Sequence, residues 1–339
     1  MNDDCLKLTA YFEDRQRSGD GFLAEKLLNL YGAQAIATSF GPRKQLRSDE
    51  WLSLSENPPV AVAAVDTRAK IAELVDAVVA MTPRALLTLE RARLITGDLE
   101  GFQLPSELHE AIKLTIYVGR QQRVGGVPAL YAVCDLLHQQ GVAGASVFLG
   151  VDGTARSVRH RARFFSRNVD VPVMIISVGD SDAIARAVPR LGAALGRPLL
   201  TLEPMQVCKR DGRLLSRPHA LPNADAHGVP LFQKLMVYTS EDAHHNGVPV
   251  HWALVRRLRH TGTASGATVL RGIWGFHGDR KPHGDKFFQL GRQVPVTTIV
   301  VDAPERIAAS FDIVDEVPAM VLLDGDERLG STRLADYRY

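Results

Sequence analysis

Two histidines carry the clearest chemistry in this 339-residue chain. His160 and His283 each stand twelve residues ahead of a proline, Pro172 and Pro295. Each is followed three residues on by a cation, Arg163 and Lys286, and then by an aromatic pair, Phe164-Phe165 and Phe287-Phe288. An imidazole beside a fixed cation suits an oxyanion, and a guanidinium adds bidentate contacts to phosphate or carboxylate. Ahead of His283 lie Arg271, Gly272, Gly275 and Gly278. Residues without a Cβ let backbone N–H groups approach a ligand. Around His160 the chain is dense in positive charge, with Arg156, Arg159, Arg161 and Arg167, and Arg280 and Lys281 flank His283. Those six suit an acidic partner surface. The bland reading is a pair of solvated loops that resemble each other by descent. The aromatic pairs are expected to anchor the loop bases.

These loops recur because the chain repeats. Leu6-Lys7-Leu8-Thr9-Ala10-Tyr11, Ile112-Lys113-Leu114-Thr115-Ile116-Tyr117 and Gln233-Lys234-Leu235-Met236-Val237-Tyr238 open three copies of one unit, each with tyrosine four residues after lysine. Gly126-Val127-Pro128 matches Gly247-Val248-Pro249, and Gly144–Gly150 matches Gly266–Gly272. Ordered agreement of this kind marks tandem repetition. The loop of copy one has Arg47, Glu50 and Trp51-Leu52 in place of the histidine and cation. Lys7, Lys113 and Lys234 sit on first strands, pointing either into a cleft or out to water. Glu90, Glu203 and Asp324 recur on last strands and are expected to pair with those lysines. Lys113 and Lys234 are counted here among the candidate ligand contacts.

Each copy reads as strand, helix, strand, loop, strand, helix, strand. Leu130, Val133, Cys134 and Leu137 give the helical spacing i, i+3, i+4, i+7, and Gly141 is a stop. Asp66, Asp180 and Asp302 stand where a second helix needs an N-cap. Last strands are expected at Ala85–Leu89, Leu199–Leu202 and Met320–Leu323. The predicted fold class is α+β, three tandem split-βαβ, ferredoxin-like units whose bare sheet faces meet in a single-chain pseudo-trimer. The units span 1–97, 111–210 and 231–327, with linkers at 98–110 and 211–230 and a tail at 328–339.

The third copy, from Gly266-Ala267-Thr268-Val269-Leu270-Arg271-Gly272-Ile273-Trp274-Gly275-Phe276-His277-Gly278 to Val294-Pro295-Val296, resembles the PII-like family known as domain of unknown function 190. Copy two resembles it well and copy one in outline. The resemblance implies a PII-like, ferredoxin-like trimer with ligand clefts between units and loops that touch partner proteins. It implies a small anionic ligand, an adenine nucleotide among the candidates, and a regulated partner, a membrane transporter among them. PII proteins carry a glycine-rich, lysine-bearing phosphate loop before the last strand; here that junction is Val314-Asp315-Glu316-Val317-Pro318. The alternative is an adaptor that docks an acidic protein without a small ligand.

Composition excludes other classes. The net charge of +2 gives no global field for nucleic acid or membrane. The three cysteines, Cys5, Cys134 and Cys208, form no disulfide framework, the start is acidic, and no apolar run reaches the roughly 20 residues of a membrane span. A cytoplasmic protein is expected. Cys208 beside Lys209 and Arg210 is the one thiol whose surroundings would favour thiolate. His244, His245, His277 and His283 lack the spacing of a closed metal site, and no nucleophile triad, Walker loop or Rossmann fingerprint is present. No enzyme activity, cofactor or metal is predicted.

Overall fold

The computed structural model describes residues 2–13, 16–34, 36–40, 59–82, 85–108, 111–155, 158–161, 172–226, 228, 230–278, 280–284, 294–317, 319–324 and 332–333. For 2–4, 32–34, 36–40, 59, 151–155, 158–161, 324 and 332–333 it describes the backbone alone. The chain is a mixed α/β protein of three repeats. Repeat one runs Asn2–Glu13, helix α1 Leu23–Gln34, Ile36–Phe40, Pro59–Thr67, helix α2 Arg68–Met81 and Leu86–Ile95. Repeat two runs Ala111–Gly119, α3 Ala129–Gln139, Gly144–Ala155, Pro172–Asp180, α4 Ser181–Leu195 and Leu199–Arg210. Repeat three runs Gln233–Ser240, α5 Val250–Thr261, Thr268–Arg271, Pro295–Asp302, α6 Pro304–Asp315 and Met320–Asp324. In every repeat the strands lie in the order second, third, first, last, all antiparallel.

Strand alternation explains the packing. Leu6, Leu8, Ala10 and Phe12 face one way and meet Leu23, Leu27, Ile71 and Leu74 of the helices. Leu130, Val133, Cys134 and Leu137 of α3 do the same for repeat two, and Gly141 follows that helix at φ +77°. Residues of the opposite parity, such as Cys5 and Tyr11, join Tyr117, Ile176, Met236 and Leu322 in one cluster drawn from all three repeats. Both sheet faces are therefore out of water, which is why these strands read as nearly continuous apolar runs. Asp180 caps α4, accepting the Ala183 N–H at 2.7 Å. Asp66 and Asp302 stand one residue earlier than expected, ahead of caps Thr67 and Ala303, and each accepts the next N–H.

The last strands of repeats one and two outrun their expected lengths. Their extra residues pair with the neighbouring repeat: Leu200 with Ile95, Thr201 with Leu94, Leu202 with Arg93. Val207 pairs with Leu322, and beyond repeat three Thr332 pairs with Leu89. A last strand left alone would be an open edge, and this pairing covers it. The first linker is also built in, because Leu99 and Leu108 belong to the core of repeat two and Leu99 lies where a Cβ on Gly192 would sit, 2.7 Å away. The second linker, expected as loop throughout, begins with a strand, Arg213–Leu214, that folds back on Lys209-Arg210. Among the described residues no helix is long and apolar enough to cross a membrane.

The recurring lysines lie inside. Lys7 Nζ is 3.8 Å from Glu90 Oε2 and 3.4 Å from Glu203 Oε1. Lys113 Nζ is 2.6 Å from Glu203 Oε2, and Lys234 Nζ is 2.7 Å from Glu90 Oε2. None of these side chains is more than 7% exposed. Strand register opposes Lys7 to Glu90, Lys113 to Glu203 and Lys234 to Asp324 within each repeat. Lys7–Glu203 and Lys234–Glu90 cross between repeats. Burial pushes the Glu90 carboxyl up, but Lys234, Lys7 and Lys113 outweigh it and hold the group below the ordinary 4.5.

A partner removed from a buried ion cluster leaves a charge without compensation, so Glu90→Gln is expected to cost about 3–5 kcal/mol in urea denaturation. The folded chain keeps the Glu90 charge at acidities that protonate an unfolded glutamate. Its stabilisation is complete above the ordinary value and is lost as pH falls below it. Wild type should lose stability through that acid window more steeply than Glu90→Gln; equal slopes would refute the assignment.

Candidate functional site

A cleft of ≈590 Å³ opens between repeats two and three. One wall is repeat two, with Ser146, Ile176 and Val178; the facing wall is repeat three, with Tyr238, Ser240 and Met320. Asp211, His277, Arg280 and His283 add charged and imidazole groups. The site is apolar on its floor and rich in donors at its rim, as ligand sites commonly are.

Backbone pairing across the repeats builds it. Trp274–His277 of repeat three runs antiparallel to the second strand of repeat two, with Val147 opposite Trp274, Ser146 opposite Gly275 and Gly144 opposite His277. Ile273 N–H donates to Val147 O and Gly278 N–H to Ala143 O, both at 2.8 Å. Two edge-on ring contacts clamp the segment to α3: Tyr131 with Trp274 at 4.6 Å and His138 with Phe276 at 5.2 Å. The glycines serve this approach. A Cβ on Gly275 would lie 2.2 Å from Ala145 O, and one on Gly272 would lie 2.7 Å from Pro295 Cγ. Their missing side chains admit another strand of the same chain, where the sequence reading had them admit a ligand. Gly278 differs: it takes φ +57° with open space around it.

The structure gathers Gly275, Gly278, Arg280 and His283 at the cleft. His283 lies opposite Gly275, and its Nδ1 donates to Lys281 O at 2.9 Å. In repeat two His160 lies opposite Gly153 on a hairpin that also opposes Thr154 to Arg159 and Asp152 to Arg161. The two histidines thus hold matching backbone positions. Arg280 and Lys281 are exposed. Arg271 is turned to Glu241, with Nε and Nη2 at 3.0 and 2.8 Å from its two oxygens, and does not line the cleft. Lys113 and Lys234 do not line it either, since their ammonium groups serve the buried glutamates. Arg156, Arg163, Arg167 and Lys286 lie outside the described residues. Cys208 is fully buried, which pushes its thiol up to about 12, against the expectation from its basic neighbours. Lys209 is directed to Asp315 instead.

Asp211 and Gly212 were missed as cleft residues. They form a two-residue hairpin turn with φ +51° and +75°. Asp-Gly between strands is a strong turn signal, because both positions need the left-handed region. The signal was present, but the polar run up to His227 read as one loop. Gly275→Ala should destabilise the chain by about 1–3 kcal/mol through overlap with Ala145 O, whereas Arg280→Ala should stay within about 0.5 kcal/mol. Chemical denaturation of both variants checks this, and an unperturbed Gly275→Ala would refute the close approach.

The profile of the family described as Uncharacterized ACR, domain of unknown function 190, matches the chain three times, over residues 5–94, 111–207 and 232–323. A UPF0166 protein of Aquifex aeolicus (strain VF5) is 36% identical over 73 residues, covering 22% of this chain and 69% of that protein. Among solved structures, aspartate kinase from Synechocystis aligns over 95% of this chain at 13% identity and a TM-score of 0.25. The chain spans only 44% of the kinase. A mutant of the ferredoxin protease FusC in complex with Arabidopsis ferredoxin aligns over 93% of this chain and 62% of its own, at 8% identity and a TM-score of 0.19. Scores this low relate neither structure to this one. Three profile matches spanning most of the length decide the matter, and the chain belongs to the domain-of-unknown-function-190 family as three tandem copies in one polypeptide.

Proposed function

We propose that this is a PII-like regulatory protein: a ferredoxin-like pseudo-trimer within one chain that binds a small anionic metabolite or nucleotide between repeats and signals to a partner through its loops. One observation carries the reading. Arg280, His277 and His283 of repeat three meet a hydroxyl, Ser146, and an apolar wall of repeat two across a single cleft. Arginine and imidazole N–H groups suit an oxyanion, and the floor suits a ring or short chain. The floor residues Ile176, Val178 and Met320 also belong to the cluster shared by all three repeats. A ligand there touches the packing between repeats, so its occupancy has a route to their relative arrangement. A ligand that binds one arrangement better shifts the population toward it.

A second reading, an adaptor docking an acidic protein, is favoured by the exposure of Arg280 and Lys281 beside the cleft. The partner in either case is a regulated protein, with a membrane transporter as one candidate class. The two readings separate in one experiment. Under the sensor reading, AMP, ADP, ATP or a cyclic dinucleotide raises Tm, and Arg280→Ala and His283→Ala each weaken binding about tenfold, the loss of one charge-assisted hydrogen bond. No stabilisation by any of these ligands, measured by thermal shift and calorimetry, would sink it.

A further inference from the structure

We infer that Asp211 is the specificity-determining residue of the inter-repeat cleft, occupying on His277 the place that an anionic ligand group would take and thereby selecting against highly charged ligands. The inference rests on the cleft being an anion site. His277 Nε2 and Asp211 Oδ1 are 2.8 Å apart, and both residues line the cleft. A carboxylate oxygen at hydrogen-bond distance from an imidazole nitrogen is the same contact that a ligand carboxylate or phosphate would make there.

Asp211 opens the linker just after repeat two, His277 belongs to repeat three, and the two are held by separate frameworks. Asp211 heads the turn that closes the Lys209–Leu214 and Arg210–Arg213 pairs, and Leu215 N–H donates to Cys208 O just beyond. His277 is fixed by its pairing with Gly144 and by the Gly278 N–H to Ala143 O. Backbone geometry therefore presents this carboxylate to this ring; neither side chain needs the other to be placed. The contact contributes little to folding. The His277 side chain is 43% exposed and that of Asp211 67%, and exposed pairs of this kind are worth little in water. A contact that stabilises little is one that a ligand can exchange.

Its electrostatic effect on a ligand is larger. Among the described residues that line the cleft, three basic groups, His277, Arg280 and His283, stand against one carboxylate, Asp211. A monoanion can use Arg280 and His283 and leave Asp211 in place. A polyanion must bring charge toward Asp211 or displace it from His277, and like charges at close range oppose each other. Asp211 thus tunes the cleft toward a ligand of low negative charge, or one that offers a hydrogen-bond donor to the carboxylate.

The test uses Asp211→Asn in the full chain, with AMP and ATP as probes in isothermal calorimetry. Asparagine before glycine is at least as well suited to this turn as aspartate, so the substitution removes charge and keeps the hairpin. Asp312→Asn, which removes the same charge from a surface pair with Arg217 away from the cleft, is the control. The expected result is that Asp211→Asn tightens ATP about tenfold and AMP distinctly less, while the control moves neither, and that ATP perturbs the His277 imidazole NMR signals more in the variant. ATP binding that is unchanged or weaker in Asp211→Asn, or matched by Asp312→Asn, overturns the inference and leaves the anion site standing. Absence of binding by either nucleotide to both wild type and variant overturns the anion site, and the inference with it.

Discussion

A four-stranded sheet with helices on one side has a second face that must also leave water, and everything else in this protein follows from how that face is covered. In this chain residues of that face from all three repeats share one apolar cluster. The apolar residues that meet there, Tyr117, Ile176, Met236 and Leu322 among them, form a core that no single repeat contains. Within it lies a charged network, Lys7, Lys113 and Lys234 with Glu90 and Glu203. Buried ions give little net stability against apolar replacements, but a mismatched charge there is costly.

The same constraint shapes the cleft. Strand edges at the junctions between these sheets are covered by strands of neighbouring repeats. Last strands extend past their own repeat to pair with the next. Trp274–His277 leaves repeat three and lies along the second strand of repeat two. The cleft borders the Trp274–His277 crossing, and its lining residues come from both repeats. A site made this way is sensitive to the arrangement of its walls, which gives a physical route from an occupant to the rest of the molecule. The glycines that permit the crossing, Gly272 and Gly275, thus act on the site indirectly, by admitting backbone to backbone contact.

Much of this was legible in the chain before folding. The recurrence of lysine and tyrosine on first strands located the repeats, and the spacing of Leu130, Val133, Cys134 and Leu137 located a helix and its buried face. The pairing of recurring acids with recurring lysines was open to inspection, because their positions match in every copy. The true length of the last strands was not legible, since residues such as Arg93 and Gln206 are held in strand by a partner far off in sequence. Arg271 looked like a ligand contact by its place beside Gly272; only folding set Glu241 within reach of its guanidinium.

By itself the sequence determined what depends on local pattern: three copies, the order of strands and helices, the helix faces, and the anion-suited residue types near His283. These are written in periodicity and turn chemistry, which act over a few residues. The tertiary structure alone decided which residues share a site. It brought Asp211, just past the end of repeat two, to His277 of repeat three, and sent Lys113 and Lys234 into the interior. The reason is that contacts between repeats are set by how complementary faces pack across long sequence separations, and no spacing along the chain encodes that distance.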